Sequence, residues 1–224
     1  MRRTILRSWA IALVMMAIGT AHSSAQQLPP FYDDVQTIKK YDKIYEAPKG
    51  GIVFTGSSSI RLWSGMAKAF PQYTVLNRGV GGTRTNDITR YVDDLIVPYA
   101  PKQVVIYVGE NDISDNTLNA DSIFARFKTL YSTIRTKLPT VPLVYIAMKP
   151  SPSRVQFIDK VKATNQLISQ FIKTEKNIAF VDIYPLMVDG KGNIKEELFR
   201  GDRLHMKPEG YALWEKALKP YLLK

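Results

Sequence analysis

The amino-acid sequence contains no cysteine, and this absence excludes several kinds of chemistry together. There can be no disulfide framework, no thiolate nucleophile and no zinc site with cysteine ligands. There is also no cysteine that a lipid could modify to tether the mature chain to a membrane. We therefore expect the folded chain to take its stability from a hydrophobic core.

The sequence also lacks an apolar run of comfortable membrane-spanning length. The run at residues 9–18 follows three arginines and precedes a small-residue segment that ends at Ala25. This order of features is typical of a secretory signal peptide. We expect residues 1–25 to be removed, leaving residues 26–224 as a single domain in the periplasm or outside the cell. An uncleaved membrane anchor is the alternative.

Histidine is scarce, since the sequence contains only His22 and His205. His22 lies in the expected signal peptide, so His205 is the only histidine of the expected mature chain. A metal site with several histidine ligands is thereby excluded. Any reaction that needs a base titrating near neutral pH must use His205.

Basic residues outnumber acidic ones, which gives the chain a formal net charge of +11. In an exported protein such a charge can favour anionic polysaccharides, lipid head groups or nucleic acids. The lysines and arginines are, however, spread along the predicted helices rather than packed into one dense run. Solvated helix faces explain this distribution. We expect neither a nucleic-acid partner nor a stable membrane anchor.

Short apolar runs alternate with amphipathic segments along the chain. Strands are predicted at 51–56, 73–77, 103–108, 142–148 and 178–182. Helices are predicted at 31–46, from the serines after Gly56 onwards, and at 87–97, 120–138, 154–176 and 208–222. The nearly all-apolar strands are typical of parallel strands buried on both faces. The alternation predicts a three-layer α/β/α sandwich, flavodoxin-like, with a five-stranded parallel sheet.

Candidate chemical groups follow the first three predicted strands. Three serines at 57–59 follow the first strand, a glycine-rich turn at 79–82 follows the second, and residues 109–112 follow the third. If the strand order is 2-1-3-4-5, these segments meet at the carboxyl edge of the sheet beside its switch point, where ligands bind. The sequence therefore predicts a site at this edge.

Each signal also has an ordinary structural explanation. A serine after a strand often caps a helix, a glycine pair often marks a tight turn with positive φ, and Asn111 with Asp112 often forms a turn or cap. Asp202 and His205 could form a surface pair. Taken together, however, these groups supply what acyl transfer needs, because Asp202 lies about one turn from His205 and can reach one ring nitrogen while the other faces a serine.

Four blocks of the sequence, in this order, resemble the SGNH or GDSL hydrolases: 56–58, 77–82, 109–112 and 202–205. The resemblance covers essentially the whole of residues 26–224, and the pattern is most similar to the platelet-activating-factor-acetylhydrolase-like branch. The chain departs from the family at Ser57, where the namesake motif has aspartate. Ser57 and Ser59 are then expected to cap the helix that follows.

The resemblance implies a role for each of five residues. Ser58 would be the nucleophile, with His205 as its base and Asp202 as the group that orients the base. The oxyanion hole would consist of the backbone N–H groups of Ser58 and Gly82 and the side-chain amide of Asn111. No metal or organic cofactor is implied.

The implied activity is two-step hydrolysis of carboxylic esters. We expect short acyl groups such as acetyl, carried by a small molecule or a carbohydrate. The loop at 149–154 follows the fourth strand on the same edge, where it either lines the alcohol-binding side or is a proline-stiffened connector. Two other functions stay open: an acyltransferase with the same site, and a non-catalytic module that binds an anionic glycan on this fold.

Overall fold

The structure is a computed structural model, and it describes residues 27–224. The expected signal peptide lies outside the described residues, so its presence and cleavage stay predictions. Within residues 27–224, no helix has the length and apolar character that a membrane crossing requires.

Five parallel strands form one sheet in the order β2-β1-β3-β4-β5. The strands are β1 Ile52–Gly56, β2 Val75–Gly79, β3 Gln103–Tyr107, β4 Leu143–Ile146 and β5 Ile178–Val181. The predicted strand order and the parallel sheet are confirmed. The second strand lies later in the chain than predicted, because pairing continues until Gly79 lies beside Gly56 of β1.

Helices cover both faces of the sheet and complete three layers. The helices are α1 Tyr32–Tyr45, α2 Ser58–Arg61, α3 Met66–Ala69, α4 Thr85–Arg90, α5 Val92–Leu95, α6 Glu110–Ile113, α7 Ala120–Lys137, α8 Ile158–Ile172 and α9 Pro208–Leu218. Side chains of α3 and α9 pack on one face of the sheet, and side chains of α4, α5, α7 and α8 pack on the other. This confirms the predicted α/β/α sandwich.

Several predicted helices are shorter than expected. The helix after the serines is two single turns, α2 and α3, with a break at residues 62–65. The helix predicted at 87–97 is divided at Tyr91 into α4 and α5. It also begins earlier, because the Asp87 carboxylate accepts the Arg84 N–H at 2.9 Å and caps the start of α4. The last helix ends at Leu218, because Pro220 lacks the N–H that a continuing helix would use.

The helix predicted at 154–176 also begins later than expected. Residues 152–157 form a 3-10 turn that starts with Pro152, and α8 follows it. Arg154 has non-helical backbone angles inside this turn, with φ −124° and ψ 23°. The turn therefore presents Arg154 in a direction that a regular helix would not give.

An aromatic cluster of Trp63, Tyr211 and Trp214 joins the segment after α2 to the last helix, α9. Trp63 and Trp214 are 3% and 0% exposed, so both belong to the core. Tyr211 stacks on Trp63 with ring centroids 5.1 Å apart, and its hydroxyl donates to the Ser59 carbonyl at 2.9 Å. Because α9 begins just after the loop that carries His205, this cluster fixes that loop relative to α2.

Candidate active site

The turn that follows β1 depends on Gly56. This residue has φ +135°, and a Cβ atom there would lie 1.8 Å from the Tyr107 carbonyl oxygen of the neighbouring strand. Only glycine fits this backbone. The turn places Ser58 at the first position of α2, at the carboxyl edge of the sheet.

Ser58, His205 and Asp202 form a continuous chain of hydrogen bonds. The distance from Ser58 Oγ to His205 Nε2 is 2.9 Å, and the distance from His205 Nδ1 to Asp202 Oδ2 is 2.7 Å. Since a carboxylate only accepts hydrogen bonds, Nδ1 carries the proton and donates to Asp202. His205 Nε2 is then free to accept the Ser58 hydroxyl proton.

Asp202 is held by the backbone of its own loop. Its Oδ1 accepts the N–H groups of Leu204 and His205, each at 2.9 Å. Partial burial favours the neutral acid, but these N–H groups and the His205 side chain outweigh it and lower the pKa of Asp202 to about 2. Asp202 is therefore a carboxylate at any ordinary pH and keeps the ring in one orientation.

Ser58 and His205 lie in the wall of an open cavity of about 450 Å³. Its walls are Asp34, Ser58, Arg61, Gly81, Gly82, Asn111, Leu204 and His205. Within residues 27–224, the backbone N–H groups of Ser58 and Gly82 have no acceptor. The structure thus brings together all five predicted site residues, and leaves two backbone donors available beside the serine.

The glycine turn after β2 has two distinct functions in the fold. Gly82 has φ +82°, a left-handed conformation that glycine adopts easily. Gly81 instead provides space, because a Cβ atom there would lie 2.6 Å from Arg61 Nε. The predicted tight turn is therefore correct for Gly82, and the small size of Gly81 lets the Arg61 side chain lie against it.

The expectation that Ser57 and Ser59 cap the helix is correct in position for Ser57 only, and neither side chain forms a capping hydrogen bond. Ser57 occupies the cap position, but its side chain makes no cap hydrogen bond. The Ile60 N–H, which a capping side chain would bind, is already taken by the Ser57 carbonyl at 3.0 Å. Ser59 lies inside the helix, where its buried hydroxyl has no partner among the described residues.

Asn111 is fixed by contacts on two sides. Its Nδ2 donates to the Thr83 carbonyl at 2.9 Å, and its Oδ1 accepts from Arg154 Nη2 at 2.8 Å. The neighbouring Asp112 is fully buried and accepts from the Thr85 N–H at 2.9 Å and from Arg126 at 2.8 Å. Asp112 thereby joins α6 to α4 and α7 and fixes the segment that carries Asn111.

The loop at 149–154 does not line the cavity around Ser58. Lys149 is fully buried, and its Nζ lies 2.6 Å from Glu110 Oε1. Glu110 also accepts from the Tyr107 hydroxyl at 2.8 Å and from the Ser151 hydroxyl. The loop therefore braces the segment after β3, which differs from both functions that the sequence had suggested for it.

The charges of this buried cluster compensate one another. Burial alone would raise the pKa of Glu110, but the charges of Lys149 and Arg154 outweigh it and lower that pKa. Glu110 is consequently a carboxylate at neutral pH. Sequence reasoning did not identify this pair or Arg154 as site residues. The signals that could have pointed to them are that Glu110 lies next to Asn111 and that the loop at 149–154 follows a strand at the same edge of the sheet.

Within residues 27–224, no group of three or more histidine, aspartate or glutamate side chains is arranged to hold a metal ion.

A doubly wound α/β fold with a hydrogen-bonded serine, histidine and aspartate at its carboxyl edge has the arrangement of a serine hydrolase. Residues 52–213 match the model of the GDSL-like lipase/acylhydrolase family. The chain belongs to this family and is a carboxylic ester hydrolase, which confirms the predicted family and enzyme class. No curated protein matches the chain significantly.

Solved structures with the same fold have low sequence identity to this chain. A structure from Streptococcus pneumonia that is named for platelet activating factor has a TM-score of 0.74 and 21% identity, over 85% of this chain and 92% of the other. A GDSL-like lipase from Bacteroides thetaiotaomicron has a TM-score of 0.72 and 21% identity, over 84% and 96%. A variant of Axe2, an acetyl-xylooligosaccharide esterase from Geobacillus Stearmophilus, has a TM-score of 0.61 and 14% identity, over 80% and 97%.

Proposed function

We propose that this chain is an exported serine esterase that removes short acyl groups, such as acetyl, from a small molecule or a carbohydrate. One observation carries the proposal: the hydrogen-bonded chain of Ser58, His205 and Asp202 ends at a cavity whose walls supply unpaired N–H donors. The preference for acetyl on carbohydrate is supported by the Axe2 relative, whose name states that activity. Export rests on the signal-peptide pattern of residues 1–25.

The first step is acylation of Ser58. Its Oγ attacks the acyl carbon of the ester while His205 Nε2, 2.9 Å away, takes the hydroxyl proton. Asp202 remains ionised and stabilises the imidazolium that forms. The imidazolium then gives its proton to the leaving alcohol as the carbon–oxygen bond of the ester breaks.

The tetrahedral intermediate carries a negative oxygen that needs fixed donors. The N–H groups of Ser58 and Gly82 have no acceptor within the described residues, and Asn111 Nδ2 uses only one of its two hydrogens on Thr83. These three groups form the oxyanion hole. Removal of one such donor typically lowers kcat about 100- to 1000-fold.

The second step returns the enzyme to its starting state. Water enters the open cavity, His205 removes a proton from it, and the oxygen attacks the acyl-enzyme carbon. The bond from the acyl carbon to Ser58 Oγ breaks, and the serine takes the proton back from His205. The products are the free acid and the alcohol.

Labelling with a fluorophosphonate tests the nucleophile, because this probe reacts with an activated serine. We expect a single adduct on Ser58 by intact mass and peptide mapping, and none in Ser58→Ala. Ser57→Ala is the matched control and should still react. The intact mass of the exported, unlabelled protein should equal that of residues 26–224 if the signal peptide is cleaved after Ala25 as expected.

The labelled residue and the products decide between the functions that the sequence left open. Labelling of Ser58 with release of acetate from acetylated sugars in water supports the esterase. Transfer of the acetyl group to an added sugar would identify an acyltransferase. A folded protein that neither reacts with the probe nor cleaves esters would contradict the proposal and favour a glycan-binding module.

A further inference from the structure

We propose that Arg154 is a positioning residue for this reaction, which fixes the side-chain amide of Asn111 so that an N–H group faces the cavity. The inference rests on the proposed role of Asn111 as an oxyanion donor. Arg154 is absent from the cavity wall, so it would act through Asn111 rather than on the substrate.

The two ends of the amide are chemically distinguished by their neighbours. A guanidinium only donates hydrogen bonds, so the atom 2.8 Å from Arg154 Nη2 has to be oxygen. A carbonyl only accepts them, so the atom 2.9 Å from the Thr83 oxygen has to be nitrogen. Both bonds are satisfied in one orientation only.

This orientation matters because the two ends of an amide have nearly the same shape. The terminal torsion of asparagine is broad, so packing alone does not select one of the two orientations. Reversal would turn Oδ1 of Asn111 towards the place where the oxyanion forms and replace attraction by repulsion. The rate is therefore proportional to the fraction of molecules in which an N–H group of the Asn111 amide faces the cavity.

Arg154 is itself rigidly held. Its Nη1 donates to the Glu110 carbonyl, next to Asn111 in the chain. The loop that leads to it is anchored by the buried Lys149 ammonium, 2.6 Å from Glu110 Oε1, and by Ser151 on the same carboxylate. The guanidinium and the amide are thus attached to one buried cluster, which preserves their relative position through the reaction.

The charge of Arg154 adds a second effect in the same direction. A cation on the amide oxygen polarises the group and strengthens its N–H as a donor. Both effects operate only when negative charge develops on the substrate, so they should appear in kcat rather than in KM.

The test is a double-mutant cycle on the hydrolysis of a short-chain ester by the full mature chain. Arg154→Ala should lower kcat about tenfold to a hundredfold with little change in KM. Asn111→Ala should lower kcat about 100- to 1000-fold. If Arg154 acts through the amide, adding Arg154→Ala to Asn111→Ala should cause no further loss.

Two further variants separate positioning from folding. Arg154→Lys keeps the charge and one donor, so it should recover part of the lost kcat. Methylguanidine in the buffer should partly restore Arg154→Ala and leave the wild-type rate unchanged. Arg135→Ala is the control, because Arg135 likewise donates to backbone carbonyls, at Val141 and Asn177, outside the site. Its kcat should be that of the wild type.

The outcomes distinguish this inference from the proposed function. Full activity of Asn111→Ala would contradict the oxyanion role and with it the proposed function. If Asn111→Ala is impaired and the double variant loses kcat by the product of the two single losses, the inference about Arg154 is overturned while the proposed function stands. A loss in Arg154→Ala that appears only in KM would also overturn it, since Arg154 would then bind the substrate.

Discussion

The Asp202 carboxylate accepts three hydrogen bonds, one from His205 Nδ1 and two from the backbone of its own turn. These contacts keep it ionised and leave His205 Nδ1 one direction in which to donate. Because the same turn also carries His205, the distance between the two residues depends on local geometry more than on the rest of the fold. The sequence separation of three residues was for this reason sufficient to predict the pair.

The variant Asp202→Asn tests this contact and its dependence on pH. The introduced side-chain amide would favour the wrong ring tautomer of His205, and we expect kcat to fall about 1000- to 10,000-fold. The folded-state pKa of Asp202, about 2, lies below the ordinary 3.8, so its contribution to stability is complete above pH 3.8 and lost as pH falls towards 2.

Thermal unfolding of the wild type and Asp202→Asn should therefore differ more at pH 6 than at pH 2. The side chain is 48% exposed, so solvent screening keeps the stability difference small. An equal difference at both pH values would show that the carboxylate is not stabilised in the fold.

At the scale of elements, the turn from β1 into α2 is the least tolerant connection around the site. A methyl group at Gly56 would overlap the Tyr107 carbonyl at 1.8 Å, and the backbone has φ +135°. We expect Gly56→Ala to be destabilised by several kcal/mol or to fail to fold. The measurement is the midpoint of thermal unfolding together with the soluble yield.

Gly190→Ala is the matched control for this glycine. No atom lies within 4 Å of a Cβ atom there, and its φ is not in the left-handed region. Its stability should be within about 0.5 kcal/mol of the wild type. A Gly56→Ala protein as stable as this control would contradict the strain assigned to the turn.

The segments after β3 and β4 are joined by the buried ion pair of Glu110 and Lys149. Removing one partner leaves an uncompensated charge, so Lys149→Met should lower the free energy of unfolding by about 3–5 kcal/mol. The double variant with Glu110→Gln should recover much of this loss, because it buries no charge. The glutamine oxygen can accept from one of the Tyr107 and Ser151 hydroxyls, and its NH2 group can donate to the oxygen of the other. Urea unfolding measures the free energy of unfolding of the single and the double variant. A Lys149→Met protein as stable as the wild type would refute a structural role for the pair.

Helix boundaries were the part of the elements that the sequence predicted least well. The apolar spacing from Ile60 to Ala67 indicated one helix, but two single turns form, because packing of Trp63 into the aromatic cluster outweighs helical continuity. Likewise, Pro152 and the contacts of Arg154 replace the first turns of the helix predicted at 154–176.

At the scale of the whole molecule, the sheet follows from alternation. Apolar strands separated by helices allow parallel pairing with right-handed crossovers, and few strand orders satisfy both. The order β2-β1-β3-β4-β5 places the ends of β1, β2 and β3 together, as predicted. Three separated blocks of sequence therefore meet at one cavity, and the His205 loop joins them because the aromatic cluster holds α9 against α2.

The sequence by itself determined the chemistry and its approximate place. The serines, glycines and Asn111 after the first three predicted strands, together with Asp202 and His205, indicated the parts that acyl transfer needs. The resemblance to the family then selected Ser58 and Gly82 among their neighbours. The strands and turns themselves were predictable because strand periodicity and local turns depend on residues close together in the chain.

Only the tertiary structure decided how these groups are supported. Arg154 lies 43 residues from Asn111, and Lys149 lies 39 residues from Glu110. Neither contact has a local pattern, since each depends on β3 and β4 being neighbours and on the side-chain conformations that the packed edge selects. For the same reason the sequence suggested that the loop at 149–154 lines the site or connects two elements, whereas its side chains support the segment that carries Asn111.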